Sequence, residues 1–373
     1  MKVLIVAGEV SGDKHGAGVV RALRELNPSL EIFGIGGNTM EEAGMELLRH
    51  IQELNFMGFV EVLKHLPKIR EVEKQLETVL EIRKPEVVLL IDYPGFNLRL
   101  AKKAKASGAR VLYYISPQVW AWKKKRIKKM KRIIDTMCVV FPFEVELYER
   151  EGINVEFVGH PLLEEIPEQK TKEEFCYQHR IDSSKQIVGL FPGSRKQEVD
   201  KIFPSMLEAG KMLQREMNVE IAIGVAPHIE RERLLSILPN DVEVNLIEND
   251  TYGLMNHCDL AIVTSGTATL ETALFETPMV VVYKTSAATY QIAKMLVRIN
   301  FIGLVNIVAG KKIVPELIQH EASSENIYSH AKEILENFLL QNEMKKNLSR
   351  VRQSLGTSGA SQRVAEKILE TWN

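Results

Sequence analysis

The stretch Leu260 to Lys284, L-A-I-V-T-S-G-T-A-T-L-E-T-A-L-F-E-T-P-M-V-V-V-Y-K, admits very few folds. Its two apolar runs, Leu260–Val263 and Met279–Tyr283, are short and bounded by turn residues. Such runs suit parallel strands covered on both faces. Between them Ser265, Gly266 and Thr267 open a helix, whose first N–H groups are unpaired and whose dipole favours an anion. A phosphate is the natural occupant. Glu271 falls one turn in, where its carboxylate can accept from ribose hydroxyls. The alternative is that Ser265 or Thr267 only caps the helix.

The same format recurs. Val3–Val6 leads into A-G-E-V-S-G-D, a Gly-rich turn whose Gly8–Gly12 spacing is not the dinucleotide fingerprint. Here Ser11 or Asp13 can also act simply as a cap. The run Val87–Ile91 ends in Asp92 and Y-P-G-F-N. Ligands of open α/β sheets bind beyond the carboxyl ends of strands, which makes Asp92 a catalytic candidate, with an Asx-turn as the alternative. Val111–Ile115 precedes S-P-Q-V-W-A-W, and the basic run Lys123–Arg132 follows. Solvated helix face and anionic-partner patch are both open for that run, but it lacks the interleaved aromatics that stack on bases.

After Gly159 the pattern gives way to a polar stretch, then strands are expected at Ile187–Phe191, Val219–Ile223, Val242–Ile247, Leu260–Val263 and Val280–Tyr283. The first of these ends in P-G-S-R, placing Gly193, Ser194 and Arg195 at a strand end. Val305–Gly310 reads as a loop, and Ala360–Trp372 as an amphipathic helix. A chain of 373 residues favours two domains. The expected boundaries are 1–165, 166–345, and C-terminal helices 346–373 that return to the first domain. Basic and acidic residues nearly cancel, 48 against 49, so global charge does not argue for nucleic acid. Three scattered cysteines fit a reducing cytoplasm, and no apolar window is long enough to span a bilayer.

Six motifs occur in order: A-G-E-V-S-G-D (7–13), I-D-Y-P-G-F-N (91–97), Y-I-S-P-Q-V-W-A-W (114–122), F-P-G-S-R (191–195), S-G-T-A-T-L-E (265–271) and N-I-V-A-G (306–310). Together they resemble the lipid-A-disaccharide synthase family over nearly the whole chain. One departure is Gly95, where the family often carries an acid, leaving Asp92 as the only carboxylate of that loop.

The resemblance implies a GT-B glycosyltransferase of α/β class, two doubly wound Rossmann-like domains facing a cleft. It would join UDP-2,3-diacylglucosamine to 2,3-diacylglucosamine 1-phosphate with inversion and without metal or cofactor. Asp92 would be the base. Gly193, Ser194, Arg195, Ser265, Gly266, Thr267, Glu271 and Asn306 would hold the UDP-sugar, and Glu9, Ser11, Gly12 and Asp13 would line the acceptor side. For Arg195 an ion pair with Glu198 is the alternative, and for Asn306 a loop-stabilising amide. Another GT-B enzyme, a UDP-GlcNAc 2-epimerase or the muropeptide-lipid GlcNAc transferase, is the competing reading.

The substrates implied are acylated, so an anionic membrane surface is an expected partner, met from the cytoplasmic face. Phe59, Val60, Val62, Leu63 and Leu66 form the candidate contact, beside basic residues, in the pattern of an interfacial segment. The alternative is that this segment packs beneath the first sheet. A homodimer is left open.

Overall fold

The computed structural model describes residues 1–53, 66–119, 127–227, 229–238, 244–286, 290–291 and 300–372. Its strands form two sheets in which every described pairing is parallel. The first contains β1 (Lys2–Ala7), β2 (Glu31–Gly36), β3 (Glu46–His50), β4 (Val87–Ile91), β5 (Arg110–Tyr114), β6 (Thr136–Val139) and β7 (Val155–Phe157). Their spatial order is β3-β2-β1-β4-β5-β6-β7. The second contains β8 (Gln186–Phe191), β9 (Val219–Val225), β10 (Asn245–Glu248), β11 (Leu260–Thr264), β12 (Met279–Tyr283) and β13 (Glu316–Ile318), in the order β10-β9-β8-β11-β12-β13.

Burial explains the apolar runs. Every residue of β4 and β11 is buried, because helices cover both sides of a parallel sheet. The edge strands β3 (E-L-L-R-H) and β13 (E-L-I) are short and partly polar, and neither is expected from the sequence pattern. The segment read as a loop at Val305–Gly310 is instead a helix, Leu304–Ala309, closed by Gly310 at φ +67°. Only six residues long, it carries too few turns for a helical period to stand out.

The chain divides into two compact units, residues 1–164 with 355–373, and residues 165–354. The second break lies after Ser354 rather than near 345, because the helix Phe338–Ser354 runs unbroken and packs on the helix Ala268–Leu274. Within the first unit the helix Ala360–Trp372 lies against the helix Val10–Leu26. The approach is close: a Cβ on Gly18 would stand 2.3 Å from Ser361 Oγ. Ser361 Oγ donates to Glu164 (2.6 Å), and Arg363 Nε donates to the Val158 carbonyl (2.8 Å).

Each sheet has one place where strand order reverses. In the first unit it falls between β1 and β4, where Ala7 pairs with Ile91. In the second it falls between β8 and β11, where Phe191 pairs with Val263. Crevices at such switch points are where ligands of doubly wound sheets bind. The sequence motifs A-G-E and I-D-Y end one pair of strands, and F-P-G-S-R and T-S-G-T end the other.

Candidate active site

At the first switch point β4 leaves the sheet abruptly. Asp92 and Tyr93 both adopt left-handed backbone conformations, φ +43° and +48°, before the helix Pro94–Ala106 begins. Such residues cost of order 1–3 kcal/mol each and persist only when their surroundings hold them. The holding groups are plain. The Asp92 N–H donates to the Tyr114 carbonyl (3.0 Å), and the Asp92 carbonyl accepts from Tyr113 Oη (2.5 Å) and Asn97 Nδ2 (2.8 Å). Both donors are fully buried. The Tyr93 ring lies over Gly8, where any Cβ would come within 2.3 Å of it.

Asp92 lines a cavity of about 260 Å³, together with Ile115, Ser116, Gln118 and Glu144. Ile115 is also left-handed, φ +61°, a conformation that is a genuine outlier for a β-branched residue. Burial, then the charge of Glu9, pushes the Asp92 carboxyl up to about 6. A carboxylate with that pKa is ionised at neutral pH and still basic enough to take a proton. Glu144 is almost wholly buried, and it accepts from Ser116 Oγ (2.5 Å) and from the Phe141 N–H (3.3 Å). Sequence reasoning missed Glu144: its position after Phe141-Pro142 signals a capping box, not a cavity wall.

Of the expected acceptor-side residues, Glu9 and Ser11 stand just beyond β1, the first half-buried and the second exposed. Asp13 is a correction. It is buried, and its carboxylate accepts from the N–H groups of Gly37 (2.6 Å), Thr39 (3.1 Å) and Met40 (3.1 Å). It caps the short helix Asn38–Glu42 from a distance, and both oxygens are occupied. Gly12 is likewise buried in packing, since a Cβ there would lie 3.3 Å from that of Ala7.

At the second switch point Gly193 follows β8 with φ +111° and Gly266 follows β11 with φ +148°. A Cβ on Gly193 would meet Thr264 Cγ2 at 3.1 Å, whereas one on Gly266 would meet nothing within 4 Å. Thr264 Oγ1, buried beside them, has no hydrogen-bond partner among the described residues. Arg195 begins the helix Lys196–Glu216 and pairs with Glu198 (2.8 Å), yet 66% of its side-chain surface is exposed. Exposed pairs of this kind are weak, so the guanidinium is free to exchange Glu198 for a better anion.

Ser265 Oγ is committed, donating to the Ile302 carbonyl (3.0 Å). Glu271 sits in the first turn of the helix Ala268–Leu274, and its charge, after burial, raises the phenol of Tyr252. Asn306 is the second correction. It is fully buried, Nδ2 donates to the Val314 carbonyl (3.0 Å) and Glu316 Oε1 (2.8 Å), and Oδ1 accepts from Ile313 N (2.8 Å) and Val314 N (3.1 Å). An amide has two donors and two acceptor sites, and all four are used. Asn306 pins the return into β13 and has nothing left for a ligand.

Phe59, Val60, Val62 and Leu63 lie outside the described residues, as do Trp120, Trp122 and Lys123–Arg126. Leu66 opens the helix Leu66–Arg83. The rest of the basic run is divided: Ile127 and Met130 are buried, while Lys128, Lys129, Lys131 and Arg132 are exposed. Among the described residues no cluster of His, Cys, Asp or Glu could hold a metal ion, and no helix is long and apolar enough to cross a membrane.

A family model described as lipid-A-disaccharide synthetase matches residues 3–369. The chain belongs to that family. It is 43% identical over 371 residues to the lipid-A-disaccharide synthase of Geobacter sulfurreducens, covering 99% of this chain and 97% of the relative. The Trichlorobacter lovleyi synthase is 44% identical over 370 residues with the same coverage, and that of Myxococcus xanthus is 38% identical over 371. As a member of the lipid-A-disaccharide synthetase family, the protein is a glycosyltransferase of lipid A synthesis. The fold agrees. A Neisseria meningitidis UDP-GlcNAc 2-epimerase solved with UDP-GlcNAc superposes with TM-score 0.66 at 15% identity, covering 99% of this chain and 100% of that one. MurG of Acinetobacter baumannii gives TM-score 0.57 at 13% identity, with 99% coverage of each. Both are two-unit GT-B architectures.

Proposed function

We propose that the protein transfers a 2,3-diacylglucosamine unit from its UDP derivative to the 6-hydroxyl of 2,3-diacylglucosamine 1-phosphate. The products are UDP and the β-1,6-linked lipid A disaccharide 1-phosphate. The observation that carries this reading is Asp92: a carboxylate pushed up to about 6, fixed in a strained turn, lining a cavity at the switch point of the first unit.

Asp92 takes the proton of the acceptor hydroxyl as its oxygen attacks the anomeric carbon. The bond from that carbon to the diphosphate breaks on the opposite face, so configuration inverts. The departing diphosphate gains charge, and preorganised donors stabilise it: Arg195 and the backbone of the Ser265–Thr267 turn. Gly193, Ser194 and Gly266 let the diphosphate approach closely, and Thr264 Oγ1 supplies an unused hydroxyl beneath it. Glu271 receives the ribose hydroxyls. Glu9 and Ser11 border the acceptor. The Neisseria epimerase bound to UDP-GlcNAc shares the fold and supports a UDP-sugar donor.

Acylated substrates reside at a bilayer, so the protein works as a peripheral enzyme of the cytoplasmic face. Phe59, Val60, Val62, Leu63 and Leu66 supply apolar anchorage. The exposed Lys128, Lys129, Lys131 and Arg132 add attraction to anionic headgroups, about 1 kcal/mol per residue near the surface. The deciding experiment incubates the protein with both acylated glucosamines and follows UDP and disaccharide. Epimerisation of UDP-GlcNAc, or release of free N-acetylmannosamine from it, would overturn the reading in favour of the epimerase neighbours.

A further inference from the structure

A second cavity, about 440 Å³, opens in the second unit beyond the carboxyl ends of β12 and β13. Lys201, Lys284, Tyr290, Gln291, Gln319 and His320 line it, and no carboxylate does so among the described lining residues. Lys284 follows β12 and reaches across to the helix Lys196–Glu216, where its ammonium donates to Ser205 Oγ (2.6 Å). Gln319 is fixed beside it, accepting from the Thr285 N–H (3.1 Å).

The charge balance here is unusual for a protein whose basic and acidic residues nearly cancel. Neither Lys201 nor Lys284 forms an ion pair among the described residues, although other lysines of the same helix do: Lys196 with Glu230 (3.1 Å) and Lys211 with Glu208 (3.8 Å). The acids flanking Lys201 on its helix are turned elsewhere, Glu198 to Arg195 and Asp200 to Arg233. The acid of β13, Glu316, accepts from the N–H groups of Ile302 (2.8 Å) and Gly303 (2.9 Å) and from Asn306. Burial also lowers the Lys284 pKa, with no opposing charge to raise it. A partly desolvated ammonium without a counter-ion is costly, and an incoming anion offsets that cost.

We propose that this cavity binds a phosphate group, with Lys284 and Lys201 as its charged contacts and Gln319 and Tyr290 as hydrogen-bond partners. Lys284, Gln319 and Tyr290 lie outside the Gly266 turn, whereas Lys201 is on the helix Lys196–Glu216 that Arg195 begins, so UDP is carried through the test as a separate ligand. Two sources carry the same chemistry, a soluble sugar 1-phosphate and a phospholipid headgroup.

The test titrates the full chain with glucosamine 1-phosphate in one arm and with phosphatidylglycerol vesicles, against phosphatidylcholine vesicles, in the other. UDP is titrated as an internal control. Lys284→Met, which keeps the aliphatic stem, is expected to weaken phosphate binding at least tenfold while UDP affinity moves less than twofold. Arg195→Ala should do the reverse. The exposed Lys201→Met gives a second variant that leaves the Ser205 contact in place, with a several-fold loss expected. The arm in which the loss appears names the source. Absence of binding to either phosphate probe at millimolar concentration, or parent affinity in the Lys201→Met/Lys284→Met double variant, overturns the site. Loss of UDP binding by Arg195→Ala alone bears only on the donor assignment.

Discussion

The turn after β4 and the turn after β11 occupy equivalent places in the two sheets, yet they are built on opposite principles. The first is closed: Asp92 and Tyr93 are forced left-handed without a glycine, and Tyr113, Tyr114 and Asn97 hold them. The second is open: Gly266 takes φ +148° at no steric cost and has empty space where a side chain would be. A turn that must present one reactive carboxylate benefits from rigidity, even at the cost of strain and of a disfavoured charge. A turn that must admit a bulky diphosphate benefits from bare backbone.

The largest effect should come from the closed turn. Asp92→Asn is expected to lower kcat by ~10²–10⁴-fold, the scale of a general base, while UDP affinity stays within twofold. Near-normal turnover would remove Asp92 from the chemistry and shift attention to Glu9. On the open side, Arg195→Ala should weaken UDP binding and slow transfer by roughly 10²–10³-fold, as for loss of one charge-stabilising donor. Chelation of metals should leave the parent rate unchanged; strict dependence on Mg²⁺ or Mn²⁺ would mean that a cation neutralises the diphosphate.

The clamp around Asp92 offers a finer test. Tyr113→Phe removes one hydrogen bond to the Asp92 carbonyl, so kcat should fall about fivefold, corresponding to ~1 kcal/mol. KM should hold, and the acid limb of the pH profile should move. A loss in KM alone would show that Tyr113 acts on binding.

Stability carries a separate signature of the same carboxyl. The Asp92 carboxyl is raised to about 6 in the folded protein, above its ordinary 3.8. Protonation therefore favours the fold: that contribution is full below about pH 4 and is lost as pH rises through about 6. Relative to Asn at this position, the parent should lose up to roughly 3 kcal/mol across that window. Asp92→Asn should accordingly melt higher than the parent at pH 8 and nearly level with it at pH 4. The parent's kcat should fall as pH drops below about 6, because the base is then protonated.

Much of this was legible in the sequence for a physical reason. Buried parallel strands are apolar on both faces, so β4, β8 and β11 announce themselves, and the residues just past them are the switch-point residues. The short, partly polar edge strands β3 and β13 carry no such mark and went unread, whereas the edge strand β10 overlaps the expected run ending at Ile247. The misplacements of Asp13 and Asn306 share a cause. Both stand in ligand-like motifs, but whether a carboxylate or amide faces a ligand or a backbone depends on chain returning from 24 residues away for Asp13 to Gly37, and from eight for Asn306 to Val314. Local sequence carries no record of that return. Glu144 failed to stand out because its cavity role rides on a capping pattern found on many helices.

The helix Ala360–Trp372 carries a consequence for how the molecule is made. It lies against the helix Val10–Leu26, with Gly18 at the crossing, so the first unit is completed by residues that follow the whole second unit in the chain. On the ribosome residues 1–164 emerge early but wait, one flank uncovered, while all of residues 165–354 is synthesised. A chain that stops short of Leu355 therefore possesses the whole second unit and an unfinished first one. Such a shortened chain would present apolar surface from the Val10–Leu26 helix to chaperones and proteases, so stability of the first unit depends on residues that lie beyond the whole of the second.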